Sequence, residues 1–562
     1  MTYLQNKALF FTTSPRTPSK MIPEIKILGE NFTGQKWNKQ SQVAFIDLLA
    51  QSGFFEGVGS SNNKDFSARD RINRAPKFLG FVDLAPQIKL TDAGKAFVYG
   101  KRPEEILLRQ LLKFQLPSPY HVEKDEIYGT FYIKPYLEIM RLIKDLESLS
   151  FDEIKIFALM MTDYRQYDMV KSAIITFRKE KESHKGQYKK FVDEKWTEVI
   201  LKIYENEIQK GKTKTRETKD NSLKKFISTK KSNTRDYTDA CFRYLRYTGL
   251  VSVSHKNRSI SFYPDKIRDV NYILENVDRN PVFINNEAKY KEYLFEATTP
   301  VLYVDNPNNV IDYLMRISGY TQRQLEGKDI EELKDIRDAI IAQRKEAVIQ
   351  SQVTEIKSYA LYSEIIDTYN EIISDGYYDA PLMLEYNTWR AMTMLDGGNI
   401  KGNFKFDDAG QPLSTASGNM PDIECDYDDF VLSVEVTMQQ GQRQYESEGE
   451  PVARHLGQIK KRTGKDAYCL FIAPTINKAS LAHFYALNKI GISYYGGKTK
   501  IIPLELEQFM RLVENSYNYS TQPTPKNIRQ FLDEVMRQEE LAVDENAWFE
   551  SIQNCVIQWL IA

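Results

Sequence analysis

The run Ala467-Tyr468-Cys469-Leu470-Phe471-Ile472-Ala473 has no charged residue and no alternation of polar with apolar positions. Such a run reads as a strand buried on both faces, which a sheet achieves when helices cover both of its sides. The neighbouring sequence supplies candidates for that cover. Its patterning predicts helices at Leu382–Leu395, Pro451–Lys461 and Lys478–Leu487, with Pro451 in a first turn, where a missing N–H costs least. It also predicts a strand at Lys500–Leu506 and a hairpin of strands Asp422–Tyr427 and Phe430–Thr437 turned at Asp428-Asp429. The C-terminal part is therefore expected to be a mixed sheet flanked by helices.

The chain has 562 residues, which implies about two to four domains. Its formal net charge of −1 argues against a uniformly basic DNA-coating protein, but the average hides a division. Residues 1–300 carry 51 Lys and Arg against 38 Asp and Glu, net +13, and residues 301–562 carry 25 against 39, net −14. One half suits a polyanion and the other suits cations, although solvated surfaces also drift apart in this way. Four scattered cysteines form no disulfide framework, and a reducing, cytoplasmic location is expected. Met1–Phe11 lacks a secretory pattern, and no apolar run reaches the roughly 18 residues needed to span a bilayer. The five histidines are never spaced as a zinc pair, so a hard cation on carboxylates is the expected metal.

Two segments of the basic half share one plan. Asp65–Leu79 reads as a polar helix with Arg69, Arg71, Arg74 and Lys77; Gly80 then turns the chain into a short hairpin, and Thr91 caps the next helix. Asp236–Thr248 reads as a helix with Arg243 and Arg246, followed by Gly249 and a hairpin in which Val251 and Val253 face Ile260 and Phe262. A helix followed by a two-stranded wing is the winged-helix plan for entering a DNA groove, and it equally describes an ordinary helix–hairpin packing unit. Between them, Lys210–Arg235 holds ten basic and two acidic residues, Lys230, Lys231 and Arg235 among them. Its low hydrophobicity predicts a flexible loop, either gripping phosphates or merely solvated.

From about Tyr290 to Ile373 the sequence reads as helices joining two larger bodies. Beyond them, Glu435 lies between Val434 and Val436; if the valines face the core, the glutamate shares a cleft with Asp422. Glu385 before this hairpin and, after it, Glu448 with its neighbours Glu446 and Glu450 as alternatives could complete an oxygen-ligand site. On spacing alone, a solvated acidic face is the favoured reading.

Several blocks in one order carry a resemblance. They are Ser14-Pro15-Arg16, Pro23-Glu24-Ile25-Lys26, Phe66-Ser67-Ala68-Arg69-Asp70-Arg71, Arg243-Tyr244-Leu245-Arg246-Tyr247-Thr248-Gly249-Leu250, Gly418-Asn419-Met420-Pro421-Asp422, Val434-Glu435-Val436-Thr437, Glu450-Pro451-Val452-Ala453-Arg454-His455 and Tyr468–Pro474. Pro421-Asp422 with Glu435-Val436-Thr437 resembles the core of the PD-(D/E)xK nuclease superfamily, with Thr437 where the motif usually has Lys. The whole set resembles the AlwI-type family of type IIS restriction endonucleases, which includes nicking enzymes.

The resemblance implies a multidomain α+β and α/β protein. Residues 1–285 would form a DNA-recognition region with winged-helix-like modules near 20–115 and 225–270, residues 286–375 a helical connector, and 376–562 a nuclease domain. Asp422 and Glu435 would hold Mg²⁺, for which Mn²⁺ can substitute, with the Val436 backbone carbonyl as a third ligand. Glu385 and Glu448 would complete the active site. Arg16, Arg69, Arg71, Arg74, Lys77, Lys230, Lys231, Arg235, Arg243 and Arg246 would contact double-stranded DNA. A short asymmetric GAGTC-like site would be cut at a fixed offset, on one strand or, with a second copy or a separate catalytic subunit, on both. A cognate DNA methyltransferase would belong to the same system. In place of the motif lysine, Gln439, Gln440, Gln442 or Gln444 could orient water, though glutamines also suit an exposed loop. A repair or recombination nuclease with the same core and a non-catalytic DNA-binding regulator are the competing readings.

Overall fold

The opposite charges of the sequence fall in two separate bodies. In the computed structural model, Met1–Arg337 form one unit and Asp338–Ala562 the other. The first carries 56 Lys and Arg against 45 Asp and Glu, net +11, and the second 20 against 32, net −12. Residues 7–52, 63–123, 129–184, 186–374, 376–395, 398–416, 420–519 and 522–560 are described, together with the backbone of 2–4. Gly418 and Asn419, which precede Met420-Pro421-Asp422, lie outside the described residues. Among the described residues no helix is long and apolar enough to cross a membrane, and the four cysteines are buried and lie outside any disulfide.

The first unit is mainly helical. Helix α1 (Met21–Phe32) precedes α2 (Lys64–Ile72), and the chain then enters the antiparallel pair β1 (Val82–Asp83) and β2 (Lys89–Leu90). Gly80 opens that hairpin at φ +75°, and a Cβ there would stand 2.5 Å from the Leu294 side chain, so the turn requires glycine. Thr91 caps α3 (Asp92–Tyr99), its hydroxyl accepting the Gly94 N–H at 2.9 Å. In the second segment the hairpin of β4 (Val251–Ser254) and β5 (Ser259–Phe262) pairs Val251 with Phe262 and Val253 with Ile260, and β3 (Ser148–Ser150) extends it to three strands.

The helix before that hairpin, α4 (Leu223–Tyr247), departs from the expected flexible loop. Only Lys210–Asn221 is irregular; from Leu223 onward the basic stretch is helical. Ser222 caps it, and Phe226 is buried against Phe177, Phe191, Trp196 and Tyr204. Between Phe226 and the apolar run that begins at Ala240, the buried positions of this helix are Thr229, Thr234 and Thr238, which a hydrophobic pattern does not register. Helix α5 (Ile330–Lys357) contains the division between the two units.

The second unit is built on a five-stranded mixed sheet. In chain order come α6 (Ala380–Leu395), β6 (Asn399–Gly402), β7 (Ile423–Asp426), β8 (Phe430–Val436), α7 (Gln442–Thr463), β9 (Asp466–Ala473), α8 (Lys478–Lys489) and β10 (Ile501–Glu505). The strand order is β10-β9-β8-β7-β6, with β8, β9 and β10 parallel and β7 antiparallel to both neighbours. Residues 467–473 are all buried, as the sequence requires. Their alternate side chains join two cores: Tyr468, Leu470 and Ile472 pack on the α6 side, and Cys469, Phe471 and Ala473 on the α7 and α8 side.

Helix α7 corrects a second expectation. Pro451 lies in its interior, because the helix begins at Gln442. The added turns carry little apolar surface and are held by a side chain: Gln444 donates to the carbonyls of Gln439 and Thr475 at 3.0 and 2.9 Å and accepts the Asn477 N–H at 2.8 Å. Farther along α7, a Cβ on Gly457 would stand 2.8 Å from the Tyr495 Cα and 2.9 Å from its carbonyl carbon and oxygen. Gly→Ala in an open helix interior stabilises by about 1 kcal/mol. Here we expect Gly457→Ala to destabilise by about 1–3 kcal/mol through overpacking against backbone. A raised urea midpoint would contradict this packing of α7.

Candidate active site

The hairpin of β7 and β8 brings the two motif carboxylates to one end of the sheet. Its register pairs Ile423 with Val434, so Asp422, one residue before β7, stands level with Glu435. That end is the carboxyl end of the parallel strands β8, β9 and β10, where open α/β sheets place their ligands. Asp422 accepts the Val436 N–H through Oδ2 at 2.8 Å. Asn403 fixes the approach, donating from its backbone to the Asp422 carbonyl at 2.9 Å and from Nδ2 to the Pro421 carbonyl at 2.8 Å.

Strand alternation turns Leu432 and Val434 into the core on the α6 side, and Val431, with Glu435, toward α7. Glu435 Oε1 there lies 2.8 Å from Nδ1 of His455, and both side chains are buried. Glu385 comes from α6, whose residues 382–395 are all buried, and its Oε2 accepts the Ala416 N–H at 3.0 Å. Burial first, then the charge of Asp422, pushes the Glu385 carboxyl well above its usual range; Asp379 and Glu435 add to the rise, and the Ala416 N–H opposes it.

Glu448 is brought in by the early turns of α7. Its Oε1 accepts the Thr437 hydroxyl at 2.9 Å, and that hydroxyl accepts the Gln439 N–H at 3.1 Å. Thr437 thus ties a carboxylate and a loop together at the position where the motif usually has an ammonium group. Gln439, Gln440 and Gln442 are exposed, and Gln444 is committed to the loop contacts that hold α7. The donors at this end of the sheet are hard oxygens crowded with like charge, which is the chemistry that Mg²⁺ complements. Among the described residues no three His, Cys, Asp or Glu side chains form a ready metal cage.

His455 is the site residue that sequence reasoning missed. A helix starting at Pro451 separates Glu448 from His455, whereas a helix starting at Gln442 puts them seven residues apart on one face.

The basic residues of the first unit are largely engaged within it. Arg16 bridges Asp236 and Asp239 at 3.4 and 3.5 Å, and Arg243 reaches the same Asp239 at 3.1 Å. Arg69 pairs with Asp65 at 2.9 Å, Arg74 with Asp70 at 2.6 Å, and Arg71 with the buried Glu24. Lys77 lies over the Tyr120 ring, Lys231 pairs with Asp193 at 2.5 Å, Arg246 is buried against His255, and Arg235 is exposed. Arg69, Arg74 and Lys230 are brought together in one cleft.

A family model described as AlwI restriction endonuclease matches residues 78–512. The chain belongs to the AlwI restriction endonuclease family. That match implies a nuclease, and it spans Glu385, Asp422, Glu435, Thr437, Glu448 and His455 at the sheet end, as well as Lys230 to Arg246. Arg16, Arg69, Arg71, Arg74 and Lys77 precede the match. Among solved structures, the small subunit (R.BspD6I2) of the heterodimeric restriction endonuclease R.BspD6I is 28% identical, covering 34% of this chain and 98% of that one, with a TM-score of 0.30. The BpuJ1 endonuclease binding domain in complex with modified DNA is 15% identical over 49% and 90%, TM-score 0.30. Restriction endonuclease FokI is 12% identical over 93% and 99%, TM-score 0.24. No curated protein sequence gives a significant match.

The raised Glu385 carboxyl has a measurable sign. Between the ordinary value of 4.5 and the raised value, the folded protein keeps a proton that the unfolded chain has released, so this group's contribution to stability falls as pH rises. Glu385→Gln is expected to reduce the loss of stability between pH 5 and pH 8. At pH 8 in EDTA it should raise the melting temperature by about 2–4 °C, the order of 1 kcal/mol in a domain of this size. An unchanged pH dependence would show that Glu385 is not crowded by its neighbours.

Proposed function

We propose that this AlwI-family protein is a type IIS restriction endonuclease or a site-specific nicking endonuclease dependent on Mg²⁺, with Mn²⁺ as a substitute. In this reading residues 1–285 bind a short asymmetric site in double-stranded DNA, GAGTC-like by resemblance, residues 286–375 connect, and residues 376–562 hydrolyse a phosphodiester at a fixed offset. The observation that carries the reading is the meeting of Asp422 and Glu435 at one end of the sheet, with Glu385 electrostatically coupled to both.

Asp422, Glu435 and the Val436 carbonyl would hold Mg²⁺, with Glu448 as a further ligand. In that arrangement these residues would hold a cation whose chemistry is to lower the pKa of water and relieve charge on the phosphate and leaving oxygens. The side chains do the positioning. Asp422 is set by the Val436 N–H and by Asn403, and Glu435 is oriented by His455. Glu385 keeps its proton to higher pH than an ordinary carboxyl and releases it more readily when positive charge is added beside it. Thr437 steers Glu448 through its hydroxyl.

One catalytic domain holds one site for one phosphodiester, so cutting both strands requires a second copy or a separate catalytic subunit. A cognate methyltransferase would protect the host site, and the pair would act in the cytoplasm.

The test is incubation of plasmid DNA with the full-length protein, with and without Mg²⁺, followed by sequencing of the ends. Ends at a constant distance from one asymmetric motif are expected; scattered ends would favour a structure-specific nuclease, and intact plasmid would favour a regulator. Asp422→Ala should lower cleavage at least about 100-fold while specific binding in gel shifts persists. Equal loss of both activities would sink the division of labour. Replacing His455 by Gln should cost about 10–100-fold in activity through misplacement of Glu435, with partial recovery at high metal concentration.

A further inference from the structure

The cleft in the first unit contains more than a phosphate grip requires. It has a volume of about 560 Å³, within the range of sites that enclose a small molecule. Arg69, Arg74, Lys214, Arg216 and Lys230 line it against two carboxylates, Asp70 and Glu217, a net charge of +3. The carboxylates order the cations: Asp70 holds Arg74 at 2.6 Å and Glu217 holds Arg216 at 3.1 Å. Aromatic rings supply the rest of the wall. Phe10 meets Tyr237 edge-on at 6.4 Å, and Phe66 on α2 is 55% exposed among charged neighbours.

Phosphate needs cations and N–H donors and gains nothing from an exposed phenyl ring. A base, by contrast, needs a face to stack on and amide or carboxylate groups for its edge, and Asn73, Asn233 and Glu217 line the same cleft. The Thr215 hydroxyl, also on the lining, is buried without a hydrogen-bond partner. Lys230 lies over the Tyr204 ring at 4.5 Å, and burial lowers its pKa, so it offers a poorly hydrated cation to an incoming anion.

We propose that this cleft receives one nucleotide lifted out of the DNA duplex, with its base against Phe66 and the Phe10–Tyr237 wall and its phosphate on the Arg69, Arg74 and Arg216 guanidinium groups. The proposal rests on the reading of this unit as the DNA-recognition region and adds that recognition includes extrusion of a base.

The experiment uses the full-length protein in EDTA and a duplex carrying the site identified from the cleavage ends, with 2-aminopurine placed at each position of the site and its flanks in turn. Fluorescence is expected to rise several-fold on binding at one position, and an abasic residue opposite that position should tighten binding about tenfold, because unpairing no longer has to be driven. Phe66→Ala should remove the fluorescence rise and weaken specific binding about tenfold without changing the salt dependence, and Phe66→Trp should restore the binding. Phe66 is exposed, so neither variant threatens the fold. Specific binding with no bright position overturns the extrusion proposal and leaves DNA recognition standing; failure to bind any duplex specifically overturns both. A Phe66→Ala variant with a flattened salt dependence and unchanged fluorescence would show that the cleft holds backbone alone.

Discussion

The second unit depends on a pair of adjacent parallel strands that have no solvent face. β8 and β9 are in register from Phe430 with Asp466 to Val436 with Ile472, and nearly every side chain between is buried on one side of the sheet or the other. Any polar atom on these strands must therefore find its partner inside the protein. Ser433 does so by donating to the Tyr468 carbonyl at 3.3 Å. Glu435, a carboxylate whose unpaired burial would cost several kcal/mol, meets His455 on the covering helix. The close approach of α7 at Gly457 to Tyr495 belongs to the same requirement, because α7 must lie near enough to deliver that histidine. Covering the sheet and placing the Glu435 carboxylate are one structural problem.

The degree to which sequence revealed this arrangement follows from how local each determinant is. The strands at 430–436, 466–473 and 501–505 are short, mainly apolar segments bounded by charged or turn residues, and 423–426 alternates Ile423 and Cys425 with Glu424 and Asp426, so their patterns announce them. Asp422 and Glu435 follow from the hairpin, since two strands joined at Asp428-Asp429 must bring those positions level. The start of α7 was illegible because its first turns are held by Gln444 reaching residues some thirty positions away. That one contact hid the shared face of Glu448 and His455. Helix α4 was obscured differently: in its first half the buried positions after Phe226 are Thr229, Thr234 and Thr238, and Phe226 looks like a hydrophobic residue lost in a basic loop.

In the first unit, the positive excess consists mostly of charges that are already placed. Asp65, Asp70, Asp193, Asp239 and Glu217 each hold a cation suggested or brought forward as a DNA contact. Such exposed pairs add little to stability, but they restrict the rotamers of long side chains before any ligand arrives. A guanidinium held by a carboxylate at its base keeps donors free for a phosphate, and less side-chain entropy is lost on binding.

The second unit has the opposite electrostatic logic, and Thr437 explains why. A lysine at that position would bring an internal positive charge to the carboxylates, partly neutralising them in the folded protein. Threonine supplies a hydroxyl, which orders Glu448 without reducing the negative charge. What surrounds Glu385 is then burial together with Asp422, Asp379 and Glu435, and its proton affinity rises accordingly. Carboxylates crowded in this way are relieved by positive charge placed beside them. Under the proposed reaction, metal loading and relief of that crowding would be the same event, and a threonine where the resembling motif has lysine would strengthen the coupling between cation binding and stability.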